Sequence, residues 1–264
     1  MIRYLLLNVP DIVLTIGVIG GSVLLMLLAT RLIRKRFPEH IHNANNEVAG
    51  FIFAAVAVIY GVMLAFVVIV VWQTLEETHN IVANEANAVV DLYRFSWELP
   101  SPYDTTLRSA VENYTLATVN QEWDAMARGT SSPAVDVALE DIWGVYRELH
   151  RAKLASQLSD GSLYESIQNI SNARNLRLNE SRTEIPPLMW LLLWGGGILM
   201  LGFTLFFRSP NERAHLTMVA MLTAVVAVVL LLIMELDIPF AGSIHISSKP
   251  FEDALQTIQR LGGN

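Results

Sequence analysis

A small group of ionisable side chains follows directly on a long apolar run. Residues 66–90 read FVVIVVWQTLEETHNIVANEANAVV, and Glu76, Glu77, His79 and Glu85 are the first titratable groups beyond residue 72. Gathered around a shared axis, Glu76, Glu77 and Glu85, with His79 among them, would form acidic rings, which draw cations to a pore mouth; on a lone helix they are only its solvated face. Glu76 and His79 lie one turn apart with no second pair beside them, too few groups for a metal site, so no metal or other cofactor is expected. Glu235 and Asp237 follow another apolar run, beside Pro239, Phe240 and Gly242. Charge at a bilayer edge is costly unless hydrated or paired. The two carboxylates are therefore either a further acidic ring at a pore mouth or partners in structural ion pairs with Arg174, Arg177 and Arg182. Arg34, Lys35 and Arg36 form a basic cluster suited to anionic lipid headgroups. Within the second apolar run, Phe53, Tyr60 and Phe66 are the candidates for a pore neck or gate, because an apolar constriction can close by dewetting; the alternative is that they are packing aromatics.

Other chemistry finds little support. With no cysteine there is no thiolate metal site, disulfide framework or cysteine nucleophile. No G-x-S-x-G, phosphate loop or H-E-x-x-H occurs, and Glu122–Trp123 reads as helix packing, so no enzymatic activity is expected. A net charge of −7 lacks the basic face that a nucleic-acid partner would need.

The elements that must position these residues follow from hydropathy. The chain is 53 % hydrophobic and only 16 % charged, with the apolar residues in blocks; ordinary soluble domains carry about a quarter charged residues. Four runs, at about 12–32, 48–72, 187–207 and 216–234, meet the roughly 20 residues needed to cross a bilayer. Small residues recur along them: Gly17 and Gly21 in the first, Gly50, Ala54, Ala57, Gly61 and Ala65 in the second, Gly195–Gly197 and Gly202 in the third. Such spacing lets helices approach closely, within one subunit or between subunits.

Residues 73–184 hold nine Lys/Arg against seventeen Asp/Glu, so the acidity belongs to this segment. It reads as helical throughout. Leu75, Val82, Ala86, Val89 and Tyr93 form one apolar stripe that ends before Pro100; Leu107, Val111 and Tyr114 mark a second helix that stops at Gly129. Ser132 and Pro133 start a third, with Val135, Leu139, Ile142, Tyr146 and Leu149 on one face; Ile167, Ile170, Arg174 and Leu178 lie on a fourth. The expected fold is an all-α integral membrane protein: four transmembrane helices with a helical bundle inserted between the second and third. The divisions are a first hairpin over 1–72, an acidic extramembrane bundle over 73–184, a second hairpin over 185–234, and a tail over 235–264 with a short amphipathic helix. The second span and the first bundle helix read as one unbroken rod, about 47–98.

Loop charges set an expected orientation. The two short loops carry Arg31, Arg34, Lys35, Arg36, Arg208 and Arg213; the other side carries Arg3, Arg174, Arg177, Arg182 and Lys249 over far more chain. The positive-inside rule then places the short loops in the cytoplasm, with the bundle and both termini outside a bacterial inner membrane.

Several motifs carry a family resemblance. NEVAGFIFAAVAVIYGVMLAFVVIVVW (46–72), NEANAVVDLYR (84–94), QEW (121–123), RNLRLNESRTEIPPLMW (174–190) and LDIPFAGSI (236–244) together resemble the bestrophin-like DUF4239 family of bacterial membrane proteins. That resemblance implies a homo-oligomeric ion channel, with membrane lipids and small inorganic ions as partners and the second transmembrane helix lining an axial pore. It also implies a cytosolic extramembrane part, opposite to the loop charges. The competing functional expectation is a membrane sensor or scaffold whose helical bundle binds a ligand or partner.

Overall fold

The computed structural model describes residues 2–36, 46–152, 160–207 and 211–263. Arg208 lies outside the described residues, so its place among the loop charges has no structural counterpart. Among the described residues every regular element is helical. The order is α1 (Ile2–Asn8), α2 (Asp11–Arg36), α3 (Asn46–Phe95), α4 (Tyr103–Ala117), α5 (Trp123–Ala127), α6 (Pro133–Arg151), α7 (Asp160–Arg182), α8 (Pro187–Phe203), α9 (Glu212–Leu236) and α10 (Lys249–Gly262). Four apolar helical stretches are long enough to cross a membrane by length and composition, within Asp11–Arg36, Ala49–Glu98, Gly161–Phe206 and Glu212–Leu236. The chain is a multi-pass membrane protein.

The helix boundaries have local causes. Asp11 stands in the first turn of α2 and Arg34, Lys35 and Arg36 in its last, complementing the helix dipole at both ends. α3 runs for 50 residues because no proline interrupts it; at 1.5 Å per residue it is about 75 Å long. Pro133 takes the first position of α6 and Pro187 that of α8, where a missing N–H costs nothing. Ser132 precedes α6 without a side-chain capping bond, whereas the Asn211 side chain accepts the Ala214 N–H at 3.2 Å and does cap α9. Gly129 adopts φ 76°, the left-handed conformation that ends α5.

The chain folds as two compact units, Met1–Gln73 with Glu184–Asp237 and Thr74–Thr183 with Ile238–Asn264. In the first unit α2 packs along α9, and α8 packs on α9. The Tyr60 hydroxyl of α3 donates to the Leu193 carbonyl of α8 at 2.9 Å. Gly196 and Gly197 are what admit that ring: a Cβ on Gly196 would meet Tyr60 Cδ2 at 2.7 Å.

The second unit has one apolar core, built from Val82, Val89 and Leu92 of α3, Leu107, Val111 and Tyr114 of α4, Val135, Ile142 and Leu149 of α6, and Ile167 and Ile170 of α7. On α6 the buried stripe includes Ala138 and Val145, while Leu139 and Tyr146 flank it half-buried. The tail belongs to this unit rather than standing apart. α10 buries Phe251, Ala254 and Ile258, and the Trp123 indole donates to the Ile246 carbonyl at 2.9 Å. Between α4 and α5, residues Thr118–Glu122 form one π-helical turn. Such a turn shifts the phase of the side chains that follow, and here it carries Glu122 into the interior.

Candidate functional site

An exposed stripe runs along α3. In the first unit Phe51, Ala55, Val62, Phe66 and Ile69 are exposed; in the second, Glu77, Asn80, Asn84, Asn87 and Asp91 are exposed, with Gln73 at the junction. At 100° per residue these positions share one stripe about 80° wide. It is apolar up to Ile69 and carries amides and carboxylates from Gln73 onward. Glu76 is exposed at its margin. From Phe51 to Tyr93, α3 contains no Lys or Arg.

The three aromatics proposed for a neck do not share that stripe. Phe66 lies on it, 65 % exposed. Tyr60, 4 % exposed, points about 120° away into the packing against α8, which withdraws it as a neck residue. Phe53 is half-buried, its ring edge-on to Phe207 with centroids 5.5 Å apart.

The acidic pair at the C-terminal end of α9 also needs correction. Glu235 and Asp237 are both buried in the protomer, not displayed at a mouth. Asp237 accepts the Ile185 N–H at 2.6 Å, tying the end of α9 to the segment that leads into α8. Nor do Arg174 and Arg177 pair with these carboxylates. They face inward on α7, at the same phase as Ile167 and Ile170, and find their partners in the second unit. Arg182 is exposed.

Those partners form a buried ionic network. Arg177 donates through Nε to Glu85 Oε2 at 2.6 Å and through Nη2 to Glu85 Oε1 and Glu122 Oε2, both at 2.8 Å. Arg174 grips Glu122 bidentately, at 2.6 and 3.2 Å, and pairs with Asp136 at 2.7 Å. The Tyr114 hydroxyl donates to Glu85 Oε1 at 2.5 Å. The Arg177 guanidinium lies over the rings of Trp123 and Phe251, 5.3 and 5.5 Å from their centroids. The side chains of Glu85, Glu122 and Arg177 are fully buried. Two carboxylates face two guanidiniums, so the buried core of the network is neutral, and each oxygen of Glu85 and Glu122 has a donor. Burial alone would raise the Glu122 carboxyl, but hydrogen bonds from Arg174 and the charge of Arg177 outweigh it and hold it below the usual carboxylate range. Burial, with the charge of Glu85 next, pushes the Tyr114 phenol well above its ordinary value. With its donors and acceptors satisfied, the network fastens α3, α4, α6 and α7 together rather than activating a nucleophile.

Sequence reasoning missed this centre and set Glu85 in an acidic ring facing a shared axis, whereas its side chain is fully buried against Arg177; a signal for this was present. Glu85, Arg174 and Arg177 each fall at the phase of apolar neighbours, Val82 and Val89 in one case, Ile167 and Ile170 in the other. A charge at a core position must be paired. Among the described residues no group of His, Cys, Asp and Glu is arranged to hold a metal ion. At the other end of the first unit, Arg34 Nη1 stands 3.9 Å from Glu212 Oε1, while Lys35 and Arg36 are exposed.

Over residues 20–251 the chain matches the bestrophin-like domain. Two crystal structures of a bacterial bestrophin homologue from Klebsiella pneumoniae share its fold. One, of a point mutant, aligns with a TM-score of 0.75 at 14 % identity, covering 93 % of this chain and 99 % of that one. The other aligns at 0.73 with the same identity and coverage. No curated protein matches the sequence.

Proposed function

This chain belongs to the bestrophin-like family, and from that premise we propose that it forms a homo-oligomeric ion channel whose pore is lined by the exposed stripe of α3. Bestrophins are chloride channels rather than enzymes, which supports ion conduction at the level of the family. The observation that carries the reading for this chain is the stripe itself. A single helix face changes from Val62, Phe66 and Ile69 to Gln73, Glu77, Asn80 and Asn84 without a break. Copies arranged around an axis would present an apolar neck, able to gate by dewetting, continuous with a wet vestibule of amides and carboxylates. Phe66 is the neck residue in this reading, and Glu76 and Glu77 are the acidic mouth.

The ion follows from the lining. Carboxylate rings favour cations, and no Lys or Arg stands on α3 before Arg94, so this member conducts cations in preference to chloride. The second unit, made of the bundle between the second and third spans together with the tail, is the extramembrane part, outside the inner membrane by the loop charges. Arg34, Lys35 and Arg36 meet lipid headgroups on the cytoplasmic side. Assignment to the DUF4239 branch rests on the motifs of residues 46–72 and 174–190.

The test is flux through liposomes holding the purified chain. Phe66→Ala should raise flux severalfold by widening the neck, and Glu77→Lys should lower the cation-to-chloride permeability ratio. Liposomes that stay tight at every voltage and pH overturn the channel reading in favour of a sensor or scaffold whose bundle binds a ligand or partner.

A further inference from the structure

The packed faces of α2 and α9 each end on a basic group. Met26 and Thr30 are buried toward the end of α2, and Arg34 follows Thr30 by one turn; His215, Val219 and Thr223 are buried at the same spacing on α9. α2 packs along α9, and the end of one meets the beginning of the other. Arg34 Nη1 stands 3.9 Å from Glu212 Oε1. His215 lies one turn beyond Glu212 on the same helix face, within electrostatic reach of Arg34. Both basic groups belong to the first unit and lie just outside the spans at 12–32 and 216–234.

His215 is 6 % exposed. Its Nε2 and the Nη2 of Arg34 are both buried without a hydrogen-bond partner, whereas buried polar atoms ordinarily have one. The nearby hydroxyls do not serve them: Thr30 donates to the Met26 carbonyl at 2.8 Å and Thr223 to the Val219 carbonyl at 2.7 Å. Among the described residues the acidic group acting on the imidazole is Glu212, and its side chain is 60 % exposed. Arg31, Lys35, Arg36 and Arg213 are exposed. α8, which packs on α9, and residues Thr204–Phe206, which pack on α2, carry no titratable side chain. A neutral imidazole suits this site. A charged one would set a second cation beside the guanidinium, out of water, with only an exposed carboxylate to offset it. Parted helices leave the imidazole free to bind a proton below its ordinary value of about 6.5. The packing is therefore complete above that value and weakens as pH falls below it.

We propose that His215 and Arg34 form a proton-sensitive latch between the end of α2 and the beginning of α9, closed while His215 is neutral and parted when it takes up a proton. The latch is independent of the channel reading. On the orientation proposed above, it answers to acid on the cytoplasmic side.

Amide hydrogen exchange of the full chain in detergent, read by mass spectrometry from pH 8 to pH 5 and corrected for the intrinsic rate at each pH, tests it. One proton changes an opening equilibrium by at most tenfold per pH unit, so exchange over residues 27–36 and 212–223 should rise about tenfold across this range. Peptides from α6 should not follow. His215→Gln, which takes up no proton, should abolish the rise. Arg34→Gln, which removes the facing cation and keeps His215, should leave a rise of about threefold or less. Exchange that does not change with pH in the wild-type chain, or a rise that persists in His215→Gln, overturns the proposal. So does an undiminished rise in Arg34→Gln, or an equal rise in α6, which would report general loosening. If His215→Gln folds poorly, the Arg34→Gln profile decides.

Discussion

Replacing Arg177 by methionine removes the cation that both Glu85 and Glu122 share, and leaves the chain length and much of the packing against Trp123 and Phe251. The buried core of the network then holds two carboxylates against Arg174 alone, one uncompensated negative charge in a fully buried site. Breaking a buried ion pair from one side costs about 3–5 kcal/mol. For a chain of this size that corresponds to a fall in Tm of roughly 6–20 °C. Changing Glu85 to glutamine as well removes the orphaned charge, keeps an acceptor for the Tyr114 hydroxyl, and leaves Arg174 and Glu122 as a neutral pair. The double variant should therefore be more stable than Arg177→Met, with a coupling of about 2 kcal/mol or more in the cycle. Thermal unfolding in detergent, followed by loss of helical circular dichroism, measures both variants. A loss below 1 kcal/mol for Arg177→Met, or additive effects of the two substitutions, would refute the reasoning that a neutral, mutually satisfied network fastens the second unit.

Acid should loosen the same unit with a defined sign. Glu122 is held below its ordinary range, so its contribution is complete above the unfolded carboxyl value of about 4.3 and is lost as pH falls through the lower, folded one; unfolding midpoints from pH 7 to 3 should show the loss below about pH 4, and Arg174→Gln should move it to higher pH. In the first unit, Gly196→Ala forces a methyl into the Tyr60 ring and should cost about 1–3 kcal/mol of stability, with a smaller loss of about 1 kcal/mol for Tyr60→Phe, measured by thermal unfolding. For orientation, a cysteine at Thr130 should react with an impermeant maleimide from outside the cell and one at Arg213 should not; the reverse pattern would place the bundle in the cytosol.

What could be read from the sequence was what depends on local composition. Block hydropathy marks the four spans because lipid demands long apolar helices, whatever they pack against. The helix from Asn46 to Phe95 could be anticipated because the stretch after Gly61 contains neither glycine nor proline. The proposed ends at Pro100, Gly129 and Pro133 coincide with real boundaries because those residues act on their own backbone. Side-chain partners were another matter. Tyr60 looked like a pore residue because it is the one clearly polar side chain inside its span, yet its hydroxyl needed only the Leu193 carbonyl across a glycine-lined gap. Glu122 could not be placed, because the π turn that rotates it inward answers to tertiary packing and has no motif. Arg174 and Arg177 were recognised as ion-pair formers but given the partners nearest the presumed membrane surface, whereas the burial of Glu85 on α3 is what claims them.

The central claim is that the exposed stripe of α3 faces a shared, conducting axis. The chain has no cysteine, so single cysteines can be placed along α3 and tested for block of liposome flux by a water-soluble thiol reagent. Block at 77, 80 and 84, with no effect at the buried positions 78, 82 and 89, is the predicted pattern. Block that ignores this periodicity, or flux that no stripe position affects, would contradict it.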